Sequence, residues 1–289
     1  MGCFKLNYYE KEPVRAHERT RSGEAKLVLL WLSIDPLAEK FPNQSPYNFV
    51  MNNPLRYIDP TGMSTEDPID YYNKNGDKVG TDGVSDGRKA LVTNNSEARA
   101  IRRTDRSGGT TALSTVSSAV VLPSTTALRE SVSVLDRTTA NGGLKEETSI
   151  VMNNGTVIQG QTGPVPTITN NIQTAPSTLP NLPAGTTVAD VETSIHSHPT
   201  TVQQVGSIIY PQSANNPSTG AGTDQTTFRQ FGTNIIVGPL GNVNANNVTT
   251  NPNGSLNIPN RTNGAVIYDS NSTPKVELTR SAIINIINH

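Results

Sequence analysis

Two histidines two positions apart are the residues of this chain best placed to do chemistry. His196 and His198 end a run rich in β-branched residues, 188–195, which predicts a strand. In an extended strand, residues i and i+2 point to the same face, so both imidazole rings can reach one metal ion. The chain has only four histidines, and half of them stand here. Two strand histidines satisfied by hydrogen bonds remain the simpler alternative.

A zinc ion at these rings would need a third protein ligand. Asp224 follows a loop of small residues and opens a predicted helix, 224–231, whose N-terminal dipole favours an anion. It could serve instead as the N-cap of that helix. Cys3 is the only cysteine, so a thiolate cage within one chain is excluded. The pattern therefore predicts Zn²⁺ held by His196, His198 and Asp224.

Hydrolysis by a metal-activated water also needs a proton acceptor. Glu146 and Glu147 open a predicted strand, 148–152, that would adjoin the histidine strand. Glu192 is a rival, because it lies four residues before His196 and shares its strand face. About 13 Å along the strand separates those two residues, which disfavours Glu192. Glu146 and Glu147 could also be ordinary solvated residues at a strand entrance.

These residues resemble the JAB/MPN metallopeptidase superfamily. Its signature combines a Glu that opens an early strand, His-x-His-Pro at a later strand end, and a Ser-x-x-Asp step. Matching the family's small residues to Thr148 and Ser149 selects Glu146 over Glu147 as the general base. The resemblance implies zinc-dependent hydrolysis of an amide bond in a protein or peptide substrate. It also implies a three-layer, cytidine-deaminase-like arrangement of helices around a mixed sheet.

The chain departs from the superfamily pattern before Asp224. The interval from the second histidine is longer by roughly ten residues or more, and the serine position three before the aspartate holds Ala221. We expect Ser218 or Thr223 to supply the missing polar contact, and Ser218 is our second candidate catalytic residue. If the site is incomplete, the alternative function is a non-catalytic JAB-like module for binding or delivery.

The N-terminal part is aromatic and punctuated by proline. Residues 31–63 contain Asp-Pro steps at Asp35 and Asp59, which predict sharp corners. This segment closely resembles the terminal part of the Rhs-repeat-associated core of the Bacteroidetes type, whose Asp-Pro-x-Gly motif marks the self-cleavage that frees a C-terminal toxin. Asp59 and Gly62 would occupy that motif, with cleavage near Met63. The upstream repeats are missing here, and the corners can be explained as turns alone.

The chain divides into three predicted parts. They are an Rhs core remnant (1–63), a polar linker or pre-toxin segment with a hairpin (64–129), and a JAB-like toxin domain (130–289). Local signals predict a hairpin at the Asn-Gly turn of 75–76, a helix over 124–139 that starts at Ser124 or Thr125, and a hairpin around 153–155. Strands at 234–238, 265–268 and 275–278 and a closing helix at 281–287 complete an α+β fold, a mixed sheet flanked by helices.

Composition and charge limit the partners. A formal net charge of −1 gives no electrostatic reason to expect nucleic acid. The apolar run 27–32 is far shorter than the roughly 20 residues that span a bilayer, so no membrane insertion is expected. No signal peptide is visible. The two resemblances together imply an effector exported by a specialised secretion system, active in a target-cell cytoplasm during interbacterial competition, with a cognate immunity protein as a candidate partner.

Overall fold

The computed structural model describes residues 69–83, 87–220 and 222–289. The predicted core remnant and its cleavage motif, residues 1–63, lie outside the described residues. The same holds for Ala221.

The first described part of the chain forms a four-stranded sheet with one helix. Its elements are β1 (Ile69–Tyr72), β2 (Lys78–Thr81), β3 (Arg88–Val92), α1 (Asn95–Arg106) and β4 (Ala119–Val121). The strand order is β2-β1-β3-β4, and β1 runs parallel to β3. The hairpin predicted at 75–76 is confirmed as β1 and β2. The sequence did not predict β3, β4 or α1, which give this segment a small apolar core of its own.

The rest of the chain builds a larger sheet with three helices. Its elements are α2 (Thr125–Ala140), β5 (Thr148–Met152), β6 (Val157–Gln159), β7 (Thr167–Thr169), β8 (Ile172–Thr174), β9 (Val191–Ser197), β10 (Gln203–Val205), β11 (Ile208–Tyr210), α3 (Asp224–Phe228), β12 (Thr233–Pro239), β13 (Thr249–Thr250), β14 (Leu256–Asn257), β15 (Asn263–Asp269), β16 (Pro274–Thr279) and α4 (Arg280–Asn288). Six strands pair in the order β16-β15-β12-β9-β5-β6. Only β9 and β12 run parallel within this sheet, so the expected α+β class with a mixed sheet is confirmed.

Alternation along β9 separates the apolar core from the candidate site. Ile195 is fully buried in the main core cluster, together with side chains of α2 and α4. Successive strand residues point to opposite faces, so His196 faces the other side. There its ring lies 6.0 Å from the ring of Phe228 in α3, centroid to centroid. The sheet therefore carries α2 and α4 on one face and α3, with the candidate site, on the other.

The helix predicted over 124–139 is confirmed as α2. Ser124 is its N-cap, and the Ser124 hydroxyl accepts the backbone N–H of Ala127. The helix predicted over 224–231 is shorter, because α3 ends at Phe228 and residues 229–232 form a turn that leads into β12. The loop 162–183, expected to carry too little apolar material to fold alone, contains the small hairpin of β7 and β8.

The β1–β2 hairpin packs directly on α4. Gly76 has a φ of +79°, and a Cβ there would overlap the backbone carbonyl of Ala282, so the turn requires glycine. Asn285 Nδ2 donates to the backbone oxygen of Asn75 at 3.1 Å. Tyr72 and Leu91 of the small sheet join the main core cluster. Across the described residues, none of the helices has both the length and the apolar character needed to span a membrane.

Candidate metal centre

The structure brings together the three predicted metal ligands. Asp224 Oδ1 lies 3.2 Å from His196 Nε2, and Asp224 Oδ2 lies 3.2 Å from His198 Nε2. One donor atom from each of the three residues fits within a group no wider than 4.8 Å. Donors at 2.0 to 2.1 Å from a tetrahedral zinc ion lie about 3.3 Å from one another. The spacing therefore suits a single ion of that size.

The ring of His198 is fixed by the loop that follows β11. Its Nδ1 lies 2.8 Å from the backbone oxygen of Ser213, a buried contact. A carbonyl oxygen only accepts, so Nδ1 carries the hydrogen and the neutral ring keeps its lone pair on Nε2. Metal-ligating histidines are commonly oriented in this way by their second nitrogen.

His196 Nε2 is a buried nitrogen that lacks a hydrogen-bond partner among the described residues. Its 3.2 Å separation from Asp224 Oδ1 is short enough for an ion pair, but the ring and the carboxylate are not aligned for a hydrogen bond. A buried polar atom left in this state costs roughly 1 to 3 kcal/mol. A cation between the ring and the carboxylate would remove that cost, so the donor set and the unpaired atom both fit a zinc ion.

Asp224 is held in its ionised form by the two histidines. Burial alone would raise the pKa of its carboxyl, but the two neighbouring imidazoles, His196 first and then His198, outweigh burial and hold that pKa well below its usual range. A carboxylate must be deprotonated to bind a metal, so the lowered pKa suits Asp224 as a candidate ligand.

Ser218 bonds to both the carboxylate and the backbone N–H of Asp224. The Ser218 N–H donates to Asp224 Oδ2 at 2.8 Å, and the Asp224 N–H donates to Ser218 Oγ at 3.1 Å. The alternative role of Asp224 as N-cap is wrong, because the N-cap of α3 is Thr223. The Thr223 hydroxyl donates to the backbone oxygen of Gly220 at 2.7 Å. Of the two candidates for the missing polar contact, Ser218 is therefore the one that bonds to a ligand.

The register of β5 on β9 decides which glutamate faces the ligands. Thr148 stands opposite His196 in this antiparallel pair. Glu146 lies two residues before Thr148 and lines the same cavity as His196, His198 and Asp224. Because neighbouring residues of an extended segment point to opposite sides, Glu147 points away from the cavity.

Glu146 is a buried carboxyl that holds its proton more tightly than an exposed glutamate does. Burial raises its pKa to about 7, and the charge of Asp224 acts in the same direction. The charge of His198 and a hydrogen bond from Ser177 oppose that rise; Ser177 Oγ donates to Glu146 Oε2 at 2.7 Å. The result is a carboxyl that changes its charge near neutral pH, next to the ligand group.

Glu147 links elements of the fold and does not face the cavity. Its Oε1 accepts from Asn141 Nδ2 and from Thr162 Oγ1, both at 2.7 Å, and its Oε2 lies 3.6 Å from Arg137 Nε. Its backbone N–H donates to Ser197 Oγ at 2.8 Å. These contacts join α2, β5 and the histidine strand behind the site.

Glu192, the rival base, serves the N-terminus of α2. Its two carboxylate oxygens accept from the backbone N–H and the hydroxyl of Ser124, at 2.6 and 2.8 Å. This places the carboxylate on the helical side of the sheet, so the structure does not bring Glu192 to the ligands.

The ligands open into a polar cavity of about 510 Å³. Its walls come from the segment between β8 and Leu179 and from the loop before α3, and most of the side chains are amides, hydroxyls or small groups. Two residues of this region were missed in the sequence. Ser177 reaches Glu146 from a proline-rich loop, for which no local pattern exists. Ser197 lies on the opposite face of β9 from the histidines, as alternation predicts, but the pattern does not reveal that it accepts from Thr138 of α2 and from the Glu147 N–H behind the site.

Comparison with known proteins gave no match for this chain among family models, curated proteins or solved structures.

Proposed function

We propose that residues 130–289 form a zinc-dependent hydrolase of the JAB/MPN type that cleaves an amide bond in a protein or peptide. The observation that carries this proposal is the buried Nε2 of His196, which makes no hydrogen bond among the described residues and faces Asp224 and His198 in a cavity shared with Glu146. The three-layer arrangement implied by the resemblance is supported by the position of α2 and α4 on one face of the sheet and α3 on the other.

His196, His198 and Asp224 would hold the ion. A zinc ion held there would supply Lewis-acid polarisation of a carbonyl oxygen and would acidify a nearby water. The carbonyl of Ser213 keeps the His198 lone pair on Nε2, and Ser218 keeps the Asp224 carboxylate turned toward both rings.

Glu146 would move the proton. Its pKa of about 7 lies close to neutral pH, where a general base and general acid work best. In this step the Glu146 carboxylate accepts a proton from water as the water oxygen bonds to the carbonyl carbon. It then gives that proton to the nitrogen as the C–N bond breaks, which yields a carboxylic acid and an amine.

A second candidate is a zinc-binding module without hydrolytic activity. It is favoured by the reciprocal hydrogen bonds between Ser218 and Asp224, because a serine that anchors a ligand is not thereby placed to stabilise a developing oxyanion. In either case we propose that the module is carried behind an Rhs core as the toxin part of a secreted effector, and that an immunity protein in the producing cell opposes it.

Zinc content and toxicity, measured together, test the proposal. Purified wild type should hold one zinc ion per chain, and the His196→Ala/His198→Ala variant should hold none. Glu146→Gln should retain the zinc but lose growth inhibition on expression, whereas Glu192→Gln, a matched charge removal on the other face, should stay toxic. Lack of stoichiometric zinc in wild type would refute the metal site. A toxic Glu146→Gln variant would refute the hydrolytic role and favour the second candidate.

A further inference from the structure

The arginine stripe of α1, which comprises Arg99, Arg102, Arg103 and Arg106, lies on the exposed side of that helix. At about 100° per residue the four side chains fall within about 100° of arc. Of the two buried anchors of α1, Ile101 lies on the opposite side and Ala98 lies at the border of the stripe. The stripe thus points to solvent from a helix that the small sheet fixes in place.

None of the four guanidinium groups has an ion-pair partner among the described residues. The acid in the first turn, Glu97, accepts from Ser117 and Ser118 instead. Like charges spaced at i+3 and i+4 destabilise a helix by about 0.2 to 0.5 kcal/mol per pair. The helix dipole offsets this only for cations in the last turn, so Arg99 and Arg102 have no such compensation.

The stripe surrounds a hollow. The four arginines and Ser96 line a space of about 570 Å³. A second space of about 230 Å³, on the adjoining flank of α1, shares Arg99 and Arg102. Guanidinium groups at the edges of a hollow can each present two parallel N–H donors to one carboxylate.

We propose that the arginine stripe is a docking surface for an acidic segment of a partner protein, with carboxylates that pair with the four guanidinium groups. The proposal is independent of the hydrolytic function, since the stripe is on the small sheet and shares no residue with the metal centre.

Three observations favour a protein over a nucleic acid. No aromatic side chain lines either hollow within the described chain, so the stripe lacks the aromatic platform on which single-strand binders stack successive bases. Four arginines neutralise about four phosphates at most, fewer than the roughly six to ten contacts of a strong backbone binder. The net charge of −1 gives no long-range attraction for a polyanion, and at physiological salt the stripe acts over only about 8 Å.

Binding of defined anionic probes to the full chain tests this proposal. The probes are a helical peptide with glutamates at i, i+3, i+4 and i+7, its glutamine analogue, and a single-stranded DNA and a duplex RNA of equal charge. The test variant is Arg99→Gln/Arg102→Gln/Arg103→Gln/Arg106→Gln. A control variant removes four exposed cations elsewhere: Lys74→Gln/Arg129→Gln/Arg229→Gln/Lys275→Gln.

The glutamate peptide should bind wild type and the control variant alike, and the stripe variant about ten- to thirty-fold more weakly. Four Arg→Lys substitutions at the stripe should give an intermediate loss, because lysine keeps the charge but not the planar fork. The proposal is overturned if wild type fails to distinguish the glutamate peptide from its glutamine analogue. It is also overturned if the stripe variant binds as wild type does, or if a nucleic acid binds the stripe more tightly than the peptide.

Discussion

Replacing Glu146 by glutamine should stabilise the metal-free protein above neutral pH and leave it little changed in acid. The reason is the burial of this carboxyl, which raises its pKa to about 7 from an ordinary value of 4.5. Glutamine keeps an oxygen that can accept the Ser177 hydroxyl and has no charge to bury. The variant therefore removes the cost of ionisation and little else.

The magnitude follows from the raised pKa. A carboxyl that holds its proton more tightly in the folded than in the unfolded state stabilises the fold when protonated. That contribution of Glu146 is complete below about pH 4.5 and is lost as pH rises to about 7. At about 1.4 kcal/mol for each tenfold change in proton affinity, the ionised form costs the folded state about 3 kcal/mol at pH 8.

Urea unfolding in the presence of a chelator, at pH 4, 6 and 8, measures this effect as the difference between wild type and Glu146→Gln. The difference should grow from near zero to about 3 kcal/mol in favour of the variant. Glu147→Gln is the matched control, and it should destabilise the protein because Arg137 loses a carboxylate partner. A difference between Glu146→Gln and wild type that does not change with pH would show that Glu146 is not buried as an ionisable group.

Three further predictions concern the metal and the packing behind it. Zinc at a hundred times its dissociation constant should raise the free energy of unfolding by about 2.7 kcal/mol, and a chelator should reverse the gain; unchanged unfolding with zinc would contradict a site in the folded state. Ser197→Ala should cost about 1 to 3 kcal/mol in urea unfolding, because the Glu147 N–H and the Thr138 hydroxyl both donate to Ser197 Oγ. A cost near zero would mean that water replaces the serine. Gly76→Ala should cost more than about 2 kcal/mol, since its φ is positive and its Cβ would overlap the backbone of α4. Gly155→Ala, with a similar φ but open space around its Cβ, should cost less, and equal costs for the two would argue against the docking of the small sheet on α4.

The elements predicted well are those with a local cause. Ser124 caps α2 through a contact three residues away, and the turns at 75–76 and 153–155 need only their own residues to form. The small sheet was missed because α1 has just two buried residues, Ala98 and Ile101. That is too few for a helical apolar pattern, and α1 is stabilised mainly by the sheet on which it packs.

In the candidate site, too, some features follow from local sequence and others depend on the whole sheet. A period of two predicts that His196 and His198 share a face, and the structure agrees. The choice between Glu146 and Glu147 depends on the pairing of Thr148 with His196, and that register is a property of the whole sheet. The residues of this chain alone name two glutamates, the resemblance favours Glu146, and the fold places Glu146 in the cavity with His196 and His198.

The long interval between His198 and Asp224 has a structural use. It includes the hairpin of β10 and β11, after which the carbonyl of Ser213 returns to His198 and Ser218 reaches Asp224. Loop closure becomes costlier only slowly with length, by about 0.6 kcal/mol for each doubling, so extra residues are tolerated when both ends are fixed. Here the added chain orients two of the three ligands. A deletion within this interval would therefore remove the supports of His198 and Asp224 while it brought the two residues closer in sequence.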